Sequence, residues 1–332
     1  MHSRFDRPVR RAFLAGAGLV CLATAAQAQP TNPTYPNKPI RLVVGFSAGG
    51  PTDVVARAFA DFAGRALGQS VIVDNKPGAN TILAAEVVAS APTDGYTLLL
   101  AATNHTMIPA LYSARVKFDA LRSFSPICTL AASPTVLVVG PSMPVSTLAE
   151  FLQRVRATPG ARTYATPGSG SGGHFASEQF TRMTGTKMNH IPYKGAAQAV
   201  TDLMGGQVDS SFATLGSVLP QVQTGKLRAL AVASPQRSPL LPDVPTFEES
   251  GVKGYSADAW YGLLAPAGTP ADIVARLTRV AGDFSRLPAT AEKLRGLGMQ
   301  SQNTCGGAFA AQLDGEIKAA TRTARELNLT LE

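Results

Sequence analysis

The chain has 332 residues, with 30 lysines and arginines against 22 aspartates and glutamates and a formal net charge of +8. That excess is spread along the sequence with no cluster of basic and aromatic residues, which argues against a nucleic-acid face. Three cysteines and four histidines, none at metal-ligand spacing, leave no basis for a metal centre or a disulfide framework.

The first 28 residues read as an export signal. Arg4, Arg7, Arg10 and Arg11 precede an apolar run from Ala12 to Ala26, and Ala26-Gln27-Ala28 supplies a small-x-small cleavage pattern. Arg10-Arg11 also fits a twin-arginine signal, so Sec and twin-arginine export both stay open. Val20 is bulkier than a lipobox tolerates before Cys21, which argues against lipidation. Cleavage after Ala28 leaves 304 residues and removes four arginines and Asp6, so the net charge falls to +5. No second apolar run reaches the length of a membrane span. The expected compartment is the periplasm. Cys128 and Cys305 remain there, and whether they pair is open.

Short β-rich runs alternate with helical patterns along the rest of the chain. Ile40–Val44, Val71–Val73 and Tyr96–Leu100 read as strands, separated by helical spacing at Val54, Val55, Ala58, Phe59 and Phe62 and again over Ile82–Val88. A second series follows. Its strands are Thr135–Val139, Thr163–Ala165, Met188–Ile191, Ser210–Ala213 and Leu227–Val232. Thr147 and Glu150 form a capping box for one of its helices. Beyond Pro235, Pro239, Pro242 and Pro245 there is one further strand, Tyr261–Ala265, and then helix.

This pattern predicts an α/β fold of two lobes, each a mostly parallel sheet flanked by helices. The tail has too little strand for a third domain and is expected to return to the first lobe. Residues 29–130 plus 254–332 then form lobe one, and residues 131–253 form lobe two. The chain crosses between them near Ile127–Pro134 and Val252–Asp258, which makes a two-stranded hinge over a ligand cleft.

Two glycine-rich loops with no lysine or arginine face that cleft. Gly45-Phe46-Ser47-Ala48-Gly49-Gly50-Pro51-Thr52-Asp53 follows the first strand, and Thr166-Pro167-Gly168-Ser169-Gly170-Ser171-Gly172-Gly173-His174 follows a strand of the second series. Each opens a helix, so free backbone N–H groups and the positive end of a helix dipole converge there without a cationic side chain. The second loop fits G-x-G-x-x-G, but Tyr193-Lys194 stands where a dinucleotide site needs its ribose-binding acid, so no nucleotide cofactor is expected. G-x-S-x-G fails at both Ser169 and Ser171. A Ser171–His174 pair lacks an obvious third member, although an exported serine hydrolase remains the alternative enzyme reading. Asn104 and His105 follow the third strand at the matching edge of lobe one, where ligand contacts or a helix cap are expected. Tyr193 and Lys194 sit at the equivalent edge of lobe two. Asp209 reads as a turn residue.

Taken in order, these segments resemble the Bug family of periplasmic solute receptors. The resemblance rests on Tyr35-Pro36-Asn37-Lys38-Pro39-Ile40-Arg41, Gly49-Gly50-Pro51-Thr52-Asp53-Val54-Val55-Ala56-Arg57 and Pro92-Thr93-Asp94-Gly95-Tyr96. It continues through Gly168-x-Gly170-Ser171-x-x-His174, His190-Ile191-Pro192-Tyr193-Lys194-Gly195 and Trp260-Tyr261-Gly262. It implies a Venus-flytrap receptor that binds a small carboxylate (a di- or tricarboxylate, an amino acid or an aromatic acid) and serves a tripartite tricarboxylate transporter in the membrane. It implies no catalysis, no cofactor and a monomer. The ligand-binding residues it points to, with those read from the strand ends, are Phe46, Ser47, Gly49, Gly50, Asp53, Asn104, Thr166, Ser169, Gly170, Ser171, His174 and Tyr193. A ligand-responsive sensor subunit would share the same fold. Two features depart from the family: the last helix lacks a tryptophan that members often carry, and Cys128 and Cys305 are unusual.

Overall fold

A computed structural model describes residues 35–113 and 115–327, so the export-signal reading lies outside the described residues. The first half runs β1 (Ile40–Val44), α1 (Pro51–Leu67), β2 (Val71–Asn75), α2 (Ile82–Ala89), β3 (Thr97–Ala102), α3 (Asn104–Leu111) and β4 (Phe124–Ser133). The middle runs β5 (Thr135–Val139), α4 (Leu148–Ala157), β6 (Thr163–Thr166), α5 (Gly172–Thr184), β7 (Asn189–Pro192), α6 (Ala196–Met204), β8 (Ser210–Thr214), α7 (Leu215–Gln223) and β9 (Arg228–Val232). The tail adds β10 (Ala259–Pro266), α8 (Ala271–Arg286), α9 (Pro288–Gly296), β11 (Gln300–Ser301) and α10 (Gly307–Leu327).

Two sheets form, one per lobe, in the orders β11-β4-β10-β3-β1-β2 and β7-β6-β8-β5-β9. Alternation along each strand sends side chains to opposite faces, so each sheet needs two covers. In the first sheet Leu42, Val44, Leu98 and Leu100 pack under α1 and α8, with Phe59 and Phe284 meeting edge to face. Val43, Leu99 and Ala101 point the other way, against Ala84, Ala85 and Val88 of α2 and Phe309 and Leu313 of α10. The second sheet repeats the scheme. Leu137 and Val139 meet Phe151 and Phe180, while Val136 and Val138 meet Ala199, Leu203 and Val218.

Local signals explain the element ends. Pro51 stands at the start of α1, where its missing N–H costs little, and Gly68 closes the helix in the left-handed region at φ 71°. Thr147 Oγ1 accepts from Glu150 N–H at 3.2 Å as the N-cap of α4, and Glu150 Oε2 reaches back one residue further than in a capping box, to Ser146 N–H at 2.7 Å.

The sheets are mixed rather than mostly parallel. β1 pairs in parallel with β2 and β3, but β10 enters antiparallel between β3 and β4. In the second sheet β6 is parallel to β7 and β8, while β5 is antiparallel to β8 and β9. β10 is the strand on which the chain returns from the second lobe, and β5 the one on which it first enters that lobe. The segment read as a crossover at Ile127–Pro134 is mostly strand: β4 stays in the first sheet to Ser133, and β5 opens the second at Thr135. Ile127, Leu130 and Ala131 are fully buried in it. Cys128 of β4 and Cys305, just before α10, form a disulfide that fastens the tail to the first lobe.

Candidate functional site

The strand ends that carry the glycine loops in both lobes open onto one cavity of about 720 Å³. Five helices begin on its wall. The lining includes Gly50, Pro51 and Thr52 at the start of α1, and Thr103, Asn104 and Thr106 at the start of α3. It also includes Ser171, Gly172 and Gly173 of α5, Gly195, Ala196 and Ala197 of α6, and Thr214, the residue before α7. First-turn N–H groups have no acceptor within their own helix, and each terminus carries roughly half a positive charge. Gly50 and Gly195 bring no capping side chain, so those amides are left to whatever occupies the cavity. Lys194 stands beside the α6 terminus on the same wall. Met107, Phe175, Ala319 and Ala320 supply an apolar side, with Phe175 from the second lobe packed against α3 and α10 of the first.

Of the expected residues, Phe46, Ser47, Gly50, Asn104 and Ser171 line the cavity. The others lie behind the wall and hold the loops. Gly49 takes φ 84°, which the turn requires, and its N–H donates to Asp53 Oδ2 at 2.9 Å. Asp53 is buried and also accepts from Arg57 Nε at 2.8 Å and Asn75 Nδ2 at 3.0 Å. Burial pushes its carboxyl up, but these donors outweigh that and hold it below the usual carboxylate range. It is therefore the brace of the first loop.

The second loop is braced from both lobes. Tyr112 hydroxyl and Asn80 Nδ2, both from lobe one, donate to the carbonyls of Ser169 and Gly170 at 2.9 Å each. Thr166 hydroxyl donates to Gly168 O at 3.1 Å and contacts His190 Nε2 at 2.6 Å. His174 Nδ1 accepts from Gly170 N–H at 3.0 Å, and its ring stacks on His190 with centroids 4.0 Å apart. Tyr193 hydroxyl donates to Asp202 at 2.8 Å and so fixes the strand end instead of reaching the cavity. His105 is buried against Phe118 and Phe124, with Nε2 2.7 Å from Ala120 O. Ser171 Oγ accepts from His174 backbone N–H at 3.3 Å as a helix cap, so the His174 imidazole is not hydrogen-bonded to it.

Sequence reasoning missed Thr103, Thr135, Gln179, Gln198, Asp258, Glu316 and Thr323 on the wall. Thr214 ends β8, where the strand-end rule could have found it, and Thr135 is its antiparallel partner at the start of β5. Asp258 and Glu316 arrive only when the tail folds back, and no local pattern marks them.

The buried imidazoles make stability depend on pH. Burial pushes His105 down to about 4. Burial, with the His174 ring beside it, pushes His190 down to about 3. The unfolded chain titrates these groups near 6.5, so between that value and the folded ones it binds more protons than the native state. Stability is thus complete above about pH 6.5 and falls as pH drops, by about 1.4 kcal/mol per unit for the fully buried His105 and by less for His190, which solvent partly screens. Denaturant unfolding at pH 7, 6 and 5 is expected to show this loss, and His190→Gln to make it shallower. Equal stability at pH 7 and 5 would contradict the assignment.

The sequence matches the tripartite tricarboxylate transporter family receptor over residues 55–329. It is 36% identical to the protein BugT of Bordetella pertussis over 262 residues, which is 78% of this chain and 80% of that protein. A structure from R. palustris with adipate superposes with a TM-score of 0.86 at 32% identity, covering 90% of this chain and all of that one. The structure of MatC from Rhodopseudomonas palustris with bound malate gives 0.82 at 30% identity, covering 87% and 99%. With a two-lobed fold, a cavity built from helix N-termini and this match along most of its length, the chain belongs to the tripartite tricarboxylate transporter receptor family, which includes the Bug proteins.

Proposed function

We propose that this protein is a periplasmic solute receptor that encloses a small carboxylate between its lobes and delivers it to the membrane subunits of a tripartite tricarboxylate transporter. The observation that carries the reading is the convergence of five helix N-termini, two from the first lobe and three from the second, on one cavity. Positive helix ends hold an anion without a rigid cationic partner, and those of α1 and α6, which bring no capping side chain, are the most open to it. Recognition by backbone amides from both lobes also gives the ligand a direct role in closing them: it is bound fully only when both sets of amides reach it. The adipate and malate bound by the two R. palustris proteins support a carboxylate as the ligand.

In this reading the receptor acts as a monomer and performs no catalysis. Ser171 and His174 do not form a nucleophile–base pair, so a serine-directed fluorophosphonate is expected to leave Ser171 unlabelled. The main test is a thermal-shift screen of mono-, di- and tricarboxylates and amino acids. A ligand at 100 times its dissociation constant adds about 2.7 kcal/mol. A melting temperature unmoved by every member, with no small molecule released on denaturation, would count against the reading.

A further inference from the structure

A strained turn connects the two glycine loops. Ala79, Asn80 and Thr81 take φ 44°, 50° and 70°, three consecutive non-glycine residues in the left-handed region. Such backbone is costly, above all for a β-branched threonine, and persists only where its surroundings fix it. Lobe one fixes it twice. Thr81 is buried against the start of the first loop, where a Cβ on Gly45 would collide with it. Asn104 Nδ2, at the start of α3, donates to Asn80 O at 3.0 Å and to Thr81 Oγ1 at 2.7 Å. So clamped, the turn aims the Asn80 side chain across the cleft.

Its target is the tip of the second loop. There the carbonyls of Ser169 and Gly170 accept from Tyr112 hydroxyl and Asn80 Nδ2, at 2.9 Å each. The approach is close: a Cβ on Gly170 would lie 2.7 Å from Asn80 Nδ2 and 2.9 Å from Tyr112 Cε2. The N–H groups of the same two peptides are used inside lobe two, Gly170 N–H by His174 Nδ1 at 3.0 Å and Ser171 N–H by Gly168 O at 3.1 Å. The carbonyls turn instead to lobe one. A hydrogen bond between lobes exists only while the lobes are together, so both bonds favour the closed arrangement over the open one.

We infer that Asn80 and Tyr112 form a latch that sets the closed width of the cleft and thereby determines which ligands are retained. A ligand enclosed with both bonds made is held longer. One too long to let the second loop reach lobe one forfeits them. Neither residue belongs to the cavity wall, so both are positioning residues that act through the second loop. This rests on the receptor reading above and adds to it a basis for selection by size.

The test uses straight-chain dicarboxylates of four to ten carbons, with calorimetry for affinity and stopped flow for association and release. Trp260, the chain's single tryptophan, donates from Nε1 to Glu316 of the wall and serves as the fluorescent reporter. Asn80→Gly removes the arm and keeps a residue that accepts the left-handed turn. Tyr112→Phe removes one hydroxyl and keeps the ring, so it carries the test even if Asn80→Gly fails to fold. Each variant is expected to speed release of the tightest-binding dicarboxylate by about three- to tenfold with association unchanged, the effect of losing one hydrogen bond of the closed form. The double variant is expected to lose affinity for that compound and little for longer ones, which flattens the dependence on length. Arg182→Ala is the control. Its ion pair with Glu326 also joins the lobes, at 3.1 Å, but both side chains are exposed and such pairs contribute little, so release is expected to match the wild type. Wild-type release from both latch variants, or equal acceleration in Arg182→Ala, overturns the inference and leaves the receptor reading standing. If no dicarboxylate binds but another member of the thermal-shift screen does, release is measured with that compound. If nothing in the screen binds, the receptor reading falls and the inference with it.

Discussion

Gly172→Phe is expected to abolish ligand capture and leave the fold intact. Gly172 is the first residue of α5, and its φ lies outside the left-handed region. A Cβ built there meets only one neighbour, Thr103 Cβ at 4.0 Å, which belongs to the opposite lobe. The side chain therefore has room to start and only the cleft to grow into. A phenyl ring would take the space beside the α5 amides and press on the start of α3, preventing both the approach of an anion and full closure. The loss should exceed 100-fold in affinity, or about 2.7 kcal/mol. Stability should hold, because Gly172 is at the first helical position and the new side chain displaces no buried neighbour there. Calorimetry against any ligand found in the screen, paired with a thermal melt, separates the two effects. Wild-type affinity in this variant would move the anion away from α5. Gly49 is the instructive contrast. A Cβ there meets nothing within 4 Å, but φ 84° strains any other residue, so substitution there would disturb the turn and put nothing into the cavity.

That contrast shows where the sequence is and is not legible. Strand, glycine loop and helix start can be read from apolar runs and turn residues, because those signals are local. How the glycines divide their work cannot. Gly49 and Gly170 (φ 75°) serve the backbone turn, whereas Gly50 and Gly172 leave amides open, and only tertiary packing decides which is which. The buried run Ile127–Ala131 is similarly ambiguous. It reads as a linker beside Pro126 and Pro134, and becomes strand because β10 returns to pair with it. Asp53, His174 and Tyr193 show a third limit. Their position in the loops is visible, but whether they touch a ligand or brace the loop depends on partners such as Asn75, His190 and Asp202 that spacing does not reveal. The acids of the wall lie furthest beyond reach, since Asp258 and Glu316 join Asn104 only through the return of the tail.

Cys305→Ser is expected to lower the unfolding free energy by about 2–5 kcal/mol. The disulfide spans 177 positions, and cross-linking so long a segment removes much of the freedom of the unfolded chain. The chain-entropy relation puts the upper end at about 5 kcal/mol for a loop of this length, and measured disulfides commonly deliver less. Part of the segment's attachment survives in the variant. Thr129 N–H donates to Thr304 O and Gly306 N–H to Ile127 O, both at 2.9 Å, and Phe309 and Leu313 stay buried against the first sheet. The native fold should therefore persist, with the cost falling on global stability rather than on structure. Cys305 is the better position to change, since it is partly exposed, whereas Cys128 is fully buried and a serine there would add an unsatisfied hydroxyl. Urea unfolding with and without a thiol reductant provides the measurement. The oxidised wild type should show the higher midpoint, reduction should bring it down to that of the variant, and the variant itself should not respond. Coincident curves for the oxidised wild type and the variant would show that the bond does not restrain the unfolded chain. A second consequence reaches the site: α10 carries Glu316, Ala319, Ala320 and Thr323 into the cavity wall, and the bond anchors the segment that leads into this helix. Hydrogen exchange in α10 should consequently quicken in Cys305→Ser more than in α4, which packs in the second lobe.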